Sequence, residues 1–303
     1  MRLGIFIPTP FRNYDRVQSA IWIRGLQLVD CLRADGIDVS VNNPFRTYDA
    51  AIYHRGMRRN SVRFLRYLRQ IAGRVYWDTC VDYFDRHEAA SAEQVKCAQI
   101  IASLVDGLCV PTEGIASSAR RYSRNVFVMP DPIDTSHFES FKEDINWSRP
   151  RMGWSGVACK AHFLNQYAGF LNDRTLIVSE ERPSLSFRHQ FIQWNYQSFP
   201  TTLLSCDIGF LPRALNSTYT INNSSFKALV FASLGIPIIA DRLPSYEILA
   251  KDYPAVAFLD DYNYDPQKAL DALRVADRDP RRVRHSYDRN LWARRLMEWI
   301  TDV

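Results

Sequence analysis

No apolar run in this chain approaches the roughly 18 residues that cross a bilayer. The longest stretch, Ala228–Ala240, is broken by Gly235 and Pro237. The opening run Leu3–Ile7 is too short for the core of a signal peptide. Cysteine is sparse: the six residues are Cys31, Cys80, Cys97, Cys109, Cys159 and Cys206, and no two stand at a zinc-knuckle spacing. Their apolar contexts predict buried, reduced thiols, and hence a reducing compartment. There is no low-complexity segment and no internal repeat beyond a general similarity of the two halves, which excludes a solenoid. The net charge of +5 is a mild bias towards acidic partners such as nucleotide sugars, phospholipid carriers or a membrane surface. Without a matching motif it does not argue for nucleic acid, and no nucleic-acid partner is expected.

What is present is the composition of a folded protein, 47% hydrophobic and 23% charged over 303 residues, enough for one large or two ordinary domains. Strand and helix signals alternate from the start. Leu3–Ile7 reads as a strand ended by Pro8, followed by a polar loop through Asp15 and a helix over Ser19–Ala34 that stops at Gly36. Short strands follow at Asp38–Val41, Ala50–Tyr53, Val75–Trp77, Gly107–Val110 and Val126–Met129. Helices fall between them at Asn60–Ala72, Ala89–Leu104 and Glu113–Tyr122. Glu139–Pro150 is a polar, Pro-terminated linker. A second alternating series begins at Arg151, with strands at Met152–Gly156, Thr175–Ser179, Phe191–Phe199, Asp207–Pro212, Ile236–Ala240 and Val256–Leu259. Its helices are Thr201–Ser205, Ser225–Leu234, Pro244–Ala250, Pro266–Ala276 and Leu291–Thr301. Repeated strand–helix–strand units imply parallel sheets covered on both faces.

The most informative stretch is Asn222-Asn-Ser-Ser-Phe-Lys-Ala-Leu-Val-Phe-Ala-Ser-Leu-Gly-Ile-Pro-Ile-Ile-Ala240. Small polar residues stand where a helix begins, with Lys227 in its first turn or so. Free backbone N–H groups, the helix dipole and an ammonium together suit a diphosphate. The plainer alternative is a capped helix entering a buried strand. The segment resembles the donor-binding signature of GT-B glycosyltransferases, in particular the retaining glycosyltransferase family 4 group (group 1 glycosyltransferases): Ser225, Lys227, Gly235, Pro237 and Ile239 match. Pro130-Asp-Pro-Ile-Asp134…Phe138 and Val110-Pro-Thr-Glu113 resemble that family's first-domain landmarks. One departure is plain. The family's two glutamates, which hold the donor's ribose and sugar, are replaced here by Asn222 and Val230. Valine accepts no hydrogen bond.

The resemblance implies an α/β GT-B architecture: two Rossmann-like doubly wound parallel-sheet domains facing across a cleft. Residues 1–145 would form the acceptor-binding domain, residues 150–287 the nucleotide-sugar-binding domain, and the final helix, 288–303, would pack back on the first. Donor contacts would come from Gly156, Lys160, Arg213, Asn223, Ser224, Ser225 and Lys227 on the diphosphate and from Trp194 and Tyr196 on the base. Each also has a plain reading as a turn, a solvated cation or core packing. Asp78 and Asp82, after a strand, are the candidate catalytic carboxylates, with His54 ending the preceding strand. The Asp78–Asp85 cluster is no Asp-x-Asp pair, so no metal and no cofactor beyond the donor is expected. Between His54 and Arg74 seven arginines occur without an acidic residue, and Arg59, Arg63 and Arg66 share one helical face that suits an anionic membrane or a lipid-diphosphate acceptor. A merely solvated face is the alternative.

The resemblance implies a glycosyltransferase, expected to be cytoplasmic, with a peripheral seat on the inner face of the membrane as a further option. It would move sugar from a nucleotide sugar to a glycan or lipid-linked acceptor, with retention, in bacterial surface polysaccharide or lipopolysaccharide synthesis. The absent glutamates motivate a rival, a catalytically inactive GT-B-like scaffold subunit. A nucleotide-sugar 2-epimerase, which shares the fold, is the other.

Overall fold

The computed structural model describes residues 1–7, 21–85, 87 and 90–302. The strand stop at Pro8, the loop through Asp15, the helix start at Ser19, the start at Ala89 and the terminal Val303 lie outside the described residues. The chain divides into two compact units: Met1–Pro132 with Asn216–Ser224 and Tyr287–Val303, and Ile133–Leu215 with Ser225–Ser286.

In the first unit six strands, β1 (Arg2–Phe6), β2 (Asp38–Val41), β3 (Tyr48–His54), β4 (Ala72–Asp78), β5 (Gly107–Val110) and β6 (Val126–Val128), form a sheet in the order β2-β1-β3-β4-β5-β6. Every pairing is parallel. Parallel strands need crossovers, and crossovers cover both faces, so strands such as β3 are apolar almost throughout. Two cores result, one per face. Leu3, Ile5, Ile52, Tyr76 and Cys109 pack with Leu28, Leu32, Ala293, Leu296 and Ile300. Phe6, Tyr53, Val75, Trp77 and Leu108 pack with Leu65, Leu68, Cys97, Ile101 and Ile115. The two-residue alternation along each strand deals these side chains to opposite faces. The last helix, Arg289–Asp302, thus belongs to the first core through Ala293, Leu296 and Ile300. The helix Ala92–Leu104 starts at a capping box, in which Gln94 N donates to Ser91 Oγ and Ser91 N to Gln94 Oε1.

One helix departs from the periodicity reading. Trp22–Leu26 is π-helical and only Gln27–Ala34 is α-helical, ending at Gly36 with φ +79°. The wider turn carries Arg24, which is buried.

The second unit carries β7 (Met152–Ser155), β8 (Leu176–Ser179), β9 (Gln190–Gln193), β10 (Ile208–Leu211), β11 (Ile238–Ala240) and β12 (Val256–Phe258). They are ordered β12-β11-β10-β7-β8-β9, again all parallel. The chain builds outwards from β7 to β9, then returns to the other side of β7 with β10. That reversal is the topological switch point at which open α/β sheets collect ligands. The expected strand Phe191–Phe199 is shorter: β9 stops at Gln193, and Phe199 begins the helix Phe199–Leu204 because Pro200 fits a first turn. The helix Phe226–Ser233 is closed by Gly235, whose φ is +69°. Ile236 N donates to Phe231 O and Gly235 N to Ala232 O, a Schellman motif. A Cβ on Gly235 would also stand 2.1 Å from the Phe141 ring.

Candidate functional site

At the switch point of the second unit, β7 runs out through Ser155 into Gly156, β10 runs out towards Arg213, and the helix Phe226–Ser233 begins beside them. The Lys227 ammonium lies 4.6 Å from the centre of the Trp154 ring. A Cβ on Gly156 would stand 2.1 Å from Lys227 Nζ and 2.9 Å from the Trp154 ring, so only glycine leaves that position open. No hydrogen bond or ion pair holds Lys227 among the described residues. Burial, then the neighbouring Arg213 and Lys160, hold its ammonium well below the ordinary lysine range. Three cations therefore converge on a glycine turn. An anion supplied there would relieve both the desolvation and the mutual repulsion.

The supporting residues are fixed from behind. Arg213 N donates to Asp241 Oδ2 at 2.5 Å, and Arg213 Nη2 reaches the Tyr246 hydroxyl at 3.3 Å. Ser225, 6% exposed, is the residue before the helix, and its carbonyl accepts from Leu229 N. Lys160 lies in a 3-10 turn, Ala158–Tyr167, whose first N–H is taken by Glu180 at 3.0 Å, a contact that sequence reasoning missed. Trp194 and Tyr196 follow β9. Neighbouring strands lie ~4.8 Å apart, so β9, two strands from β7, ends ~10 Å away, about the span from a diphosphate to its base. The Tyr196 ring is stacked on His137 at 4.1 Å, with His137 Nε2 2.8 Å from Tyr196 O.

Asn223 and Ser224 immediately precede Ser225 in the chain. The segment Asn216–Ser224 belongs to the first unit. There Ser224 Oγ donates to Asp131 Oδ2 at 2.5 Å, and Thr112 Oγ1 donates to Asn222 O at 2.9 Å. Side chains of the polar run read as a helix start are thus partly engaged in hydrogen bonds within the first unit.

In the first unit the candidate carboxylates are engaged in hydrogen bonds. Asp78 ends β4 and is 2% exposed. Arg24 Nε and Nη2 donate to it at 2.9 and 2.6 Å, and His54 Nδ1 stands 2.5 Å from its other oxygen. Burial alone would raise the Asp78 carboxyl, but Arg24 and His54 outweigh it and hold it at about 2. A carboxylate so weakly basic and so enclosed orients its neighbours rather than taking a proton from an acceptor. Arg24 Nη1 continues to Asp131 Oδ1 at 2.9 Å, so one buried network runs Ser224–Asp131–Arg24–Asp78–His54. His54 is 1% exposed and its Nε2 has no partner among the described residues. Asp82 serves another network: it accepts from Phe84 N at 3.1 Å, Ser118 Oγ at 2.9 Å and Asn222 Nδ2 at 2.8 Å. Arg24 and Asp131 were missed from sequence. The available signal was a charged residue in the apolar run Ile21-Trp-Ile-Arg-Gly-Leu26.

The basic run is less unopposed than its sequence suggests. Arg59 pairs with Glu93 at 3.0 Å, Arg69 with Asp106 at 3.4 Å, and Arg74 donates to Ile300 O at 3.0 Å. Arg63 and Arg66 are exposed. Of the cysteines, Cys159 is exposed rather than buried, and all six are free. Among the described residues no helix is long and apolar enough to cross a membrane.

No protein-family model and no curated protein matches this chain. Solved structures do. An alpha-glucosyltransferase in complex with UDP and a 13-mer DNA containing a HMU base is 12% identical, with 99% of each chain covered and a TM-score of 0.65. WaaG, a glycosyltransferase involved in lipopolysaccharide biosynthesis, is 12% identical over 97% of this chain and 98% of its own, with a TM-score of 0.61. The UDP-GlcNAc 2-epimerase from Methanocaldococcus jannaschii is 14% identical over 100% of both chains, with a TM-score of 0.57. At these identities the likeness is one of fold, and the fold is that of the GT-B glycosyltransferases: two Rossmann-like units, each with a six-stranded parallel sheet.

Proposed function

We propose that the protein is a glycosyltransferase that takes its sugar from a nucleotide diphosphate donor. The observation that carries this reading is the Lys227 ammonium, with no hydrogen bond or ion pair among the described residues, set with Lys160 and Arg213 by Gly156 at the switch point of the second sheet. In the reaction the bond from the sugar's anomeric carbon to the diphosphate oxygen breaks and its electron pair leaves on the diphosphate. Charge grows on that oxygen, and the three cations stabilise it where it grows. The acceptor hydroxyl attacks the oxocarbenium-like carbon from the face the diphosphate leaves, its proton passing to the departing diphosphate oxygen, and configuration is retained. A glycan or lipid-linked acceptor of a bacterial surface polysaccharide, reached at the inner face of a membrane with Arg63 and Arg66 towards the lipid, suits the basic helix.

The fold likeness to a 2-epimerase supports a second reading, in which the donor alone is turned over. Incubation with a panel of nucleotide sugars, with and without glycan acceptors, separates the two. Acceptor-dependent release of nucleotide, abolished in Lys227→Ala, is the expected result. Release without acceptor and a changed sugar would support the epimerase. Absence of donor binding and turnover would leave a scaffold role and defeat the enzyme reading.

A further inference from the structure

The first unit carries a hollow of about 700 Å³ that the donor chemistry does not use. It opens at the carboxyl ends of β1 and β3, where that sheet's strand order turns back on itself, so it occupies the first unit's own switch point. Its size is that of a small-molecule site. Phe6, Tyr53, Phe64 and Tyr83 supply aromatic wall. Arg55 and Arg58 supply two guanidinium groups, and none of the described residues lining it is acidic.

Arg55 is held there at a cost. Its φ is +64°, a region that side chains other than glycine avoid, and Gly56 N donates across it to His54 O at 2.9 Å. That hydrogen bond closes a γ-turn, a rare and strained form. The next residue has no alternative to glycine, because a Cβ on Gly56 would stand 1.8 Å from the Tyr53 hydroxyl oxygen. A loop leaving β3 by an ordinary route would avoid both constraints. This route presents Arg55 to the hollow. Arg58, exposed, follows at the start of the helix Arg59–Ile71. A second hollow of about 360 Å³ shares Met57, Arg58, Asn60 and Gln94 with the first, which leaves room for a longer ligand. Guanidinium forks recognise phosphate and carboxylate, side-chain amides suit hydroxyls, and aromatic rings cover the apolar face of a sugar.

We infer that this hollow takes the acceptor and that the acceptor sugar carries an anionic group, a phosphate or a carboxylate, held by Arg55 and Arg58. The acceptor role rests on the glycosyltransferase reading, whereas the preference for an anionic sugar does not. Calorimetric titration of the whole protein tests it, using glucose, galactose and mannose, their 6-phosphates and their uronates, each with and without saturating UDP. At least one anionic sugar binds tenfold or more tightly than its neutral parent, and whether 6-phosphates or uronates do so identifies the group. Arg58→Ala and Arg55→Gly each lose about tenfold of that preference. Glycine fits the positive φ, so the second variant keeps the turn. Arg282→Ala, an exposed arginine of the other unit, removes the same charge and keeps the preference. Equal binding of neutral and anionic sugars, no binding of any anionic sugar by ~10 mM, displacement of the anionic sugar by UDP, or an unchanged preference in both variants overturns the inference. UDP titrated alone reports on the donor reading separately, so failure of one is not failure of the other.

Discussion

Replacing Lys227 by methionine keeps the aliphatic stem over Trp154 and removes only the charge. In the donor complex that charge would make a charge-assisted hydrogen bond worth about 1.5–3 kcal/mol. Taking about 2 kcal/mol, the dissociation constant for UDP rises about thirtyfold. With UDP at about 100 times the wild-type dissociation constant, ligand stabilises the wild type by about 2.7 kcal/mol and the variant by about 0.9 kcal/mol. For units of this size the gap appears as about 4–7 °C less UDP-induced shift in melting temperature. The unliganded proteins behave oppositely. Burial, Arg213 and Lys160 depress the Lys227 ammonium, so the folded state is penalised for carrying the charge below the depressed value. The penalty is relieved as pH rises from that value towards 10.5, the ordinary value, and wild type gains stability relative to Lys227→Met over that window. Scanning fluorimetry with and without UDP, at neutral and alkaline pH, measures both effects. An equal UDP shift in the two proteins refutes the claim that this ammonium meets the diphosphate.

Three further outcomes follow from the same arrangement of residues. Gly156→Ala places a methyl 2.1 Å from Lys227 Nζ and 2.9 Å from the buried Trp154 ring, so melting temperature falls and UDP binding, measured by calorimetry, weakens about tenfold. Asp78, held at about 2 by Arg24 and His54 against the opposing effect of burial, contributes stability above the ordinary carboxylate range. That contribution, about 2–3 kcal/mol, is lost as pH falls from about 4 to about 2. Urea unfolding across that range shows the loss in wild type. Asp78→Asn, already destabilised by about 3–5 kcal/mol at neutral pH, shows less of it. Finally, Val230 offers the donor ribose no acceptor and is 1% exposed in its helix, so 2′-deoxy-UDP binds within about threefold of UDP. A hundredfold preference for the ribose form would mean that another residue has taken the glutamate's place.

Features decided within a few residues were legible in the sequence. Gly235 after an apolar helix is a Schellman cap, and that is a local matter of φ and two hydrogen bonds. Alternating apolar runs announced parallel sheets because both faces of such sheets are covered. Lys160 and Arg213 follow strand ends and Lys227 a helix start, positions that the βα repeat and the helix signal mark in the sequence. What stayed hidden depends on pairing across the fold. Arg24 meets a carboxylate 54 residues away and another 107 residues away, and no spacing rule links them. Glu93, in the next helix, neutralises Arg59, although the arginine run itself contains no acid.

The signature at Asn222–Ser225 shows how far a local reading extends. Four small polar residues before a helix suit an anion site equally well whether their groups are vacant or spent. Here the chain divides within the run: Asn222 donates to Asp82 and Ser224 to Asp131, while Ser225 opens the helix that carries Lys227. One of the expected contacts, Ser224, therefore has its side chain engaged within the first unit, as does Asn222. On the donor reading proposed above, the grip on a diphosphate would rest on full charges more than on these side chains. Charges around Gly156 attract any nucleoside diphosphate, whereas discrimination among nucleosides needs oriented acceptors. With valine at one of the family's glutamate positions and a committed amide at the other, selectivity for the nucleoside must come from elsewhere. On the same donor reading, Trp194 and Tyr196, which follow β9 two strands from β7, would supply it.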